Sequence, residues 1–307
     1  MSKLTHEQWL AERRKSIGGS DAAAIVGMNH YVTPYMLWAD KTGRLPDKPD
    51  NEAMRQGRDL EQYVADRFME AAGKRVRRHT AMFRSTEYPF AHANIDRAVI
   101  GERAGLECKT TSILNLKKFR NGEYPENYYV QCVHYLAVTG WDRWYLAVII
   151  LNQGFRWFTI ERDQAEIDAL MQAEKDFWNT YVMPDVPPPV DGLPPTSETL
   201  ESIFPGGGEQ DAPLDMFGCG NLIQKYLATK DLVKTYQQEQ EQCRQAIQQS
   251  LGNAESGVCG DYSVIWKQQS HKTFDLKRFA ADHPEIDLGG YYKKSTFRKF
   301  DIKENTK

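Results

Sequence analysis

The chain has 307 residues, 41% hydrophobic and 26% charged, and a formal net charge of −3. This composition reads as an ordinary soluble globular protein with no global basic signature for nucleic acid. No apolar run approaches the ~18 residues of a membrane-spanning helix. Five cysteines (Cys108, Cys132, Cys219, Cys243, Cys259) lack any CxxC spacing, which argues against a zinc ribbon, an iron–sulfur cluster or a secreted disulfide framework. The opening MSKLTHEQWLAERRKS has no apolar signal-peptide core, so a reduced cytoplasmic setting without membrane contact is expected.

In chain order, THEQWLAERRKS predicts a first amphipathic helix. GGSDAAAIVGM turns into a short helix, with Ser20 or Asp21 as a natural N-cap. TPYMLWADKTG is another short helix, and NEAMRQGRDLEQYVADRFMEAAG a long one, with Leu60, Val64, Phe68 and Met69 at helical spacing and Gly73 as C-cap. HTAMFRST, FAHANIDRAVI and RAGLECKT read as strands, and YYVQCVHYLAVTG as a buried helix. RWYLAVIIL and FRWFTIE form two β-rich runs joined by an NQG turn, and DQAEIDALMQAEKDFWNTYV is an amphipathic helix.

Six prolines between Met183 and Pro195 change the texture. They predict a domain of residues 1–182, a Pro/Gly-rich linker over 183–215 and an accessory region over 216–307. NLIQKYLATKDLVKTYQQEQEQCRQAIQQSL in that region is one long polar helix with a thin apolar seam, suited to a helical hairpin or another chain, and a small α+β unit follows it. The basic clusters KRVRRH (74–79), KKFR (117–120) and KKSTFRK (293–299) read as solvated surface. A β-hairpin is expected around Tyr291, Tyr292 and Phe297. His134 reads as a packed helix residue and His92 as a strand support. GGSDAAAIVG lacks both the dinucleotide-loop glycine spacing and a Walker lysine.

The chemistry gathers around GLECKTT (105–111). In a strand Glu107 and Lys109 share one face and Cys108 takes the other. If Gly101–Glu102 is a two-residue type II′ turn, Ile100 pairs with Arg103 and Asp96 lies opposite Glu107. Two carboxylates so placed repel unless a cation sits between them, and a hard oxygen-loving ion, Mg²⁺ or Mn²⁺, is the simplest remedy. A lysine beside such a site can orient water or stabilise charge on a phosphate oxygen. Gln131 and Tyr135, at i and i+4, project from one face of the next helix.

The order Glu61, Asp96, Glu107-x-Lys109, Gln131-x-x-x-Tyr135 resembles the PD-(D/E)xK nuclease superfamily, in its lambda-exonuclease-like branch. RRKSIGGSDAAAIVGMNHYVTPYMLWADKTG, GRDLE, ANIDR, LECKT and QCVHY resemble the YqaJ-type viral recombinase family in order and spacing, over roughly residues 8–182. NIDR stands where a glycine-rich DG is usual, and Cys108 where an aliphatic residue is. The resemblance implies an α/β fold with a restriction-endonuclease-like core, its mixed central sheet flanked by helices, and a smaller C-terminal helical and α+β region.

The same resemblance implies one or two metal ions held by Asp96, Glu107 and the Cys108 backbone carbonyl, with Glu61 completing the site directly or through a water. Lys109 would position or activate the attacking water, Gln131 would orient Lys109 or the nucleophile, and Tyr135 would touch the DNA backbone. Ser20 with Arg13 or Arg14 would hold a DNA 5′-phosphate; a hydroxyl beside arginines at a helix start is also an anion site on physical grounds. The implied function is a Mg²⁺-dependent exonuclease acting 5′→3′ on double-stranded DNA ends for recombination by strand annealing. It would work as a ring trimer with a single-strand annealing protein as partner. The alternatives are an endonuclease or single-strand-specific nuclease of the same fold, or a non-catalytic DNA-binding or assembly module.

Overall fold

The apolar run WYLAVII (144–150) becomes an interior strand of the main sheet, because only a strand covered on both faces can bury every residue of such a run. In the computed structural model, which describes residues 6–47, 50–208 and 212–304, the chain divides into two units, Met1–Pro205 and Gly206–Lys307.

The first unit opens with helices α1 (His6–Arg14), α2 (Gly19–Ile25), α3 (Pro34–Lys41) and α4 (Glu52–Ala72). Strands β1 (Val76–Arg78), β2 (Phe83–Arg84), β3 (His92–Ala93), β4 (Arg97–Val99) and β5 (Ala104–Thr111) follow. A 3₁₀ segment (113–122) leads to α5 (Glu126–Thr139), β6 (Arg143–Ile150), β7 (Gly154–Glu161), α6 (Gln164–Phe177) and α7 (Pro194–Ile203). The main sheet runs β1-β4-β5-β6-β7, antiparallel except for the parallel pair β5/β6, which α5 connects. It is therefore the mixed sheet flanked by helices that the sequence leads one to expect.

Two buried layers sandwich this sheet. On one face Val64, Ala65 and Phe68 of α4 pack against Leu106, Tyr145 and Ala147. On the other, α5 with α2 and α6 covers Ala98, Trp144, Leu146 and Val148. Gly105 is required by close approach on this second face, since a Cβ there would lie 2.2 Å from the Trp144 ring.

Several local expectations give way. FAHANIDRAVI is not one strand: β3 pairs with β2 in a separate sheet, and β4 begins only at Arg97. The basic stretch Lys74–His79 supplies β1, at the edge of the main sheet. The α2 N-cap is Gly18 rather than Ser20 or Asp21; Asp21 sits three residues later and accepts the Gly18 N–H at 2.9 Å. Residues 183–215 are not a uniform linker, because α7 lies within them, starting on Pro194–Pro195 and tied to α3 by a 2.8 Å hydrogen bond between the Thr33 and Thr196 hydroxyls. Proline fits a first helical turn, where its missing N–H costs nothing.

The second unit holds α8 (Gly220–Leu251), the hairpin β8 (Ser256–Cys259)/β9 (Tyr262–Ile265) and α9 (Leu276–Asp282). The hairpin expected around Tyr291 to Phe297 does not form. Gly289–Tyr291 is a single 3₁₀ turn, and residues 292–304 take no regular structure. Among the described residues no helix is long and apolar enough to cross a membrane.

Candidate active site

Strand register builds the site. Arg97 pairs with Leu106 and Ala98 with Gly105, so one further step sets Asp96 across from Glu107, as the two-residue turn at Gly101–Glu102 requires. Gly101 takes φ +87° while Glu102 keeps a negative φ, the pattern of a type II′ turn. Asp96 itself leaves the ladder. Its carboxylate replaces a backbone acceptor, taking the Cys108 N–H on Oδ2 at 2.7 Å. In an extended strand the N–H and C=O of one residue point to the same edge. The Cys108 carbonyl therefore faces the edge that β4 has left beside Asp96.

Glu107 is 4% exposed. Its Oε1 meets the Lys109 ammonium at 2.6 Å and accepts from Gln131 Nε2 at 2.8 Å. Gln131 also accepts from Lys109 on Oε1 at 2.9 Å and donates to the Tyr135 hydroxyl at 2.8 Å. One amide thus locks the acid, the amine and the phenol into a single network. Lys109 also lies over the Tyr128 ring, 5.1 Å from its centre. Burial disfavours the charged lysine, but Glu107 and then Asp96 outweigh it and raise its pKa. Lys109 is held as an ammonium donor.

Asp96 shows the opposite strain. Burial first, and then the Glu107 charge, push its pKa well above the ordinary carboxylate value. Glu107 Oε2 is buried with no hydrogen-bond partner. Two crowded carboxylates, one with an orphaned oxygen, fit a hard divalent cation. Among the described residues no three His, Cys, Asp or Glu side chains converge as a ready cage. The donors that do come together are Asp96, Glu107 and the Cys108 carbonyl, which is a backbone group.

Glu61 departs from its expected place. It projects from α4, which packs on the opposite face of the sheet, and its carboxylate is taken up by Arg97 and, at 3.7 Å, by Arg78. It reaches Asp96 only through its field. Arg97, with a side chain 2% exposed, also donates to the Asp96 carbonyl at 2.8 Å and to Gln62 at 3.1 Å. The arginine in NIDR is therefore a structural support of the site, and its sequence position carries no signal of that role.

Tyr135 is also corrected. It is 5% exposed, its hydroxyl is engaged by Gln131, and its ring lies so close beneath Gly19 that a Cβ there would sit 2.5 Å away. It supports the site from below and does not present itself to a DNA backbone.

The structure separates the two arginines. Arg14 turns to Asp47 at 2.6 Å and Asp40 at 3.9 Å. Arg13 donates to Ser20 Oγ at 3.3 Å and lies 3.7 Å from Asp21. Nearby, Ser16 Oγ bonds His92 Nδ1 at 2.8 Å. His134, fully buried, donates from Nε2 to the His92 carbonyl at 2.9 Å and meets Glu174 at 2.7 Å. Both histidines are structural, as expected. Burial, helped by Lys41, lowers the His92 pKa to about 3.

The YqaJ-like viral recombinase domain matches residues 8–142 of this chain. The chain is similar, at 39% identity over 307 residues, to the uncharacterized protein YqaJ of Bacillus subtilis (strain 168), a match covering 99% of this chain and 96% of that protein. Among solved structures, the alkaline exonuclease LHK-Exo from Laribacter hongkongensis is similar at 19% identity and a TM-score of 0.47, over 57% of this chain and 91% of that one. A phage-related exonuclease from Haemophilus somnus 129PT is similar at 13% identity and a TM-score of 0.44, over 54% and 95%. These two likenesses carry no residue roles to the chain.

Proposed function

The chain belongs to the YqaJ-like viral recombinase family, and from that premise we propose that it is a metal-dependent deoxyribonuclease that digests double-stranded DNA from its ends. The observation that carries the reading is the network of Glu107, Lys109 and Gln131 on one face of the sheet, within the field of the Asp96 carboxylate and with one Glu107 oxygen left without a partner.

Asp96, Glu107 and the Cys108 carbonyl would hold Mg²⁺ or Mn²⁺, one ion or two. When bound, the ion supplies Lewis acidity and charge neutralisation at the scissile phosphate. The chain's own residues do the rest. Lys109, anchored by Glu107 and Gln131, keeps a positive charge where charge develops on the phosphate oxygens, and its N–H groups orient the attacking water. Gln131 fixes the Lys109 ammonium relative to Glu107, so the amine need not reorganise during the reaction. Arg97 holds Glu61 and the Asp96 backbone, setting the metal-side carboxylate in place.

Arg13 and Ser20 support an end-directed reading, since a guanidinium beside a hydroxyl suits a terminal 5′-phosphate. Digestion would then run 5′→3′ and leave 3′ tails for strand annealing. The annealing protein would be the partner, met through Gly206–Lys307, and a ring of three copies would let the enzyme track along DNA. An end-labelled linear duplex compared with a closed circle, each with Mg²⁺ and with EDTA, tests the reading. Loss of the linear duplex alone, and only with Mg²⁺, is expected. Cutting of the circle would make it an endonuclease, and binding without cutting would make it an assembly module.

A further inference from the structure

The junction of α1, α2 and α3 carries an ionic pair that the reaction site does not use. Lys41, the last residue of α3, has a side chain 1% exposed. It spends all three ammonium hydrogens on the Arg13 carbonyl at 2.9 Å, the Ser16 carbonyl at 2.9 Å and Asp21 Oδ2 at 2.6 Å. The other Asp21 oxygen faces the Arg13 guanidinium at 3.7 Å. Burial would raise the Asp21 pKa, but Lys41 and then Arg13 outweigh it and bring it down to about 2.

Burying a lysine and an aspartate to join three helices is a poor way to gain stability, because desolvation consumes most of the attraction and an apolar pair would serve as well. What the ionic pair adds is position. Arg13 is gripped at both ends, its backbone by Lys41 and its guanidinium by Asp21 and Ser20. Asp21 does not simply quench Arg13, since its closer partner is Lys41. Arg14, next in sequence, meets the half-exposed acids Asp47 and Asp40.

We propose that Asp21 and Lys41 are positioning residues that hold Arg13 ready for the terminal 5′-phosphate of DNA. The proposal rests on the reading that Arg13 and Ser20 meet that phosphate. A preset guanidinium loses little side-chain freedom on binding, and that gain exists only for ends that carry a phosphate.

The test is a double-mutant cycle of Arg13→Ala and Asp21→Asn. Its readout is the ratio of kcat/KM on duplexes with 5′-phosphate ends to that on duplexes with 5′-hydroxyl ends. Both substrates are measured on one preparation, so any unfolded fraction cancels. Asp21→Asn is expected to cut the ratio about tenfold, through a higher KM for phosphorylated ends. It should change nothing further once Arg13 is alanine. Lys41→Met is the second variant and should lower the ratio in the same way. An unchanged ratio in the variants, or equal losses with and without Arg13, overturns the positioning role. A wild-type ratio near one instead defeats the end-recognition reading beneath it.

Discussion

Two helices of similar sequence texture meet different fates in the two units. α4 and α8 are long, polar overall and marked by an apolar stripe. α4 lays Val64, Ala65 and Phe68 on the sheet, all fully buried. α8 carries Leu222, Tyr226, Val233, Tyr236 and Ile247, every one of them exposed. No described residue of Gly206–Lys307 is buried, whereas Met1–Pro205 holds three buried clusters. Periodicity thus specifies a helix but not a core; the sheet that receives the stripe decides whether it contributes to stability. The candidate site lies wholly in the unit that has such a sheet, where packing can hold side chains at fixed distances.

That contrast can be broken by substitution. Phe68→Ala should cost about 4 kcal/mol in urea unfolding, from lost burial plus the cavity left behind. A much smaller cost would mean that α4 does not pack as described. Gly105→Ala should cost about 3 kcal/mol, because the new methyl has only the rigid Trp144 ring to displace.

Acid acts on the first unit through two buried groups, Asp21 and His92. The folded pKa of Asp21, about 2, lies below its unfolded value of 3.8. Its contribution of about 2 kcal/mol is therefore complete above pH ~4 and is lost as pH falls toward 2. His92, held at about 3 instead of 6.5, adds a loss that begins earlier: below pH ~6.5 the unfolded chain takes up the proton first. The stability of the first unit against unfolding should fall across that range, and Asp21→Asn should flatten the part between pH 4 and 2. The smallest effect belongs to α8, where Val233→Ala should change the melting of the first unit by no more than ~0.5 kcal/mol.

Much of the site was legible because it is local. The Asp96–Glu107 register follows from one glycine turn, and the shared face of Glu107 and Lys109 from strand alternation. Gln131 and Tyr135 were placed by helical spacing. What stayed hidden depends on contacts distant in sequence. Nothing about an arginine after Asp96 reveals that it will take up Glu61, 36 positions earlier. Lys41 and Asp21 look like ordinary surface charges until three helices meet around them. α7 was masked by its own start, since prolines that open a helix look the same as prolines that prevent one.

In the proposed function Lys109, held between Glu107 and Gln131, serves a metal-dependent phosphodiesterase site. Its most direct test is digestion of linear duplex DNA with Mg²⁺ by wild type and by Lys109→Ala, the two matched by their unfolding curves. Mg²⁺-dependent loss of the duplex is expected with wild type, and a rate lower by about 10²–10³-fold in the variant. Equal rates in the two proteins would contradict that role.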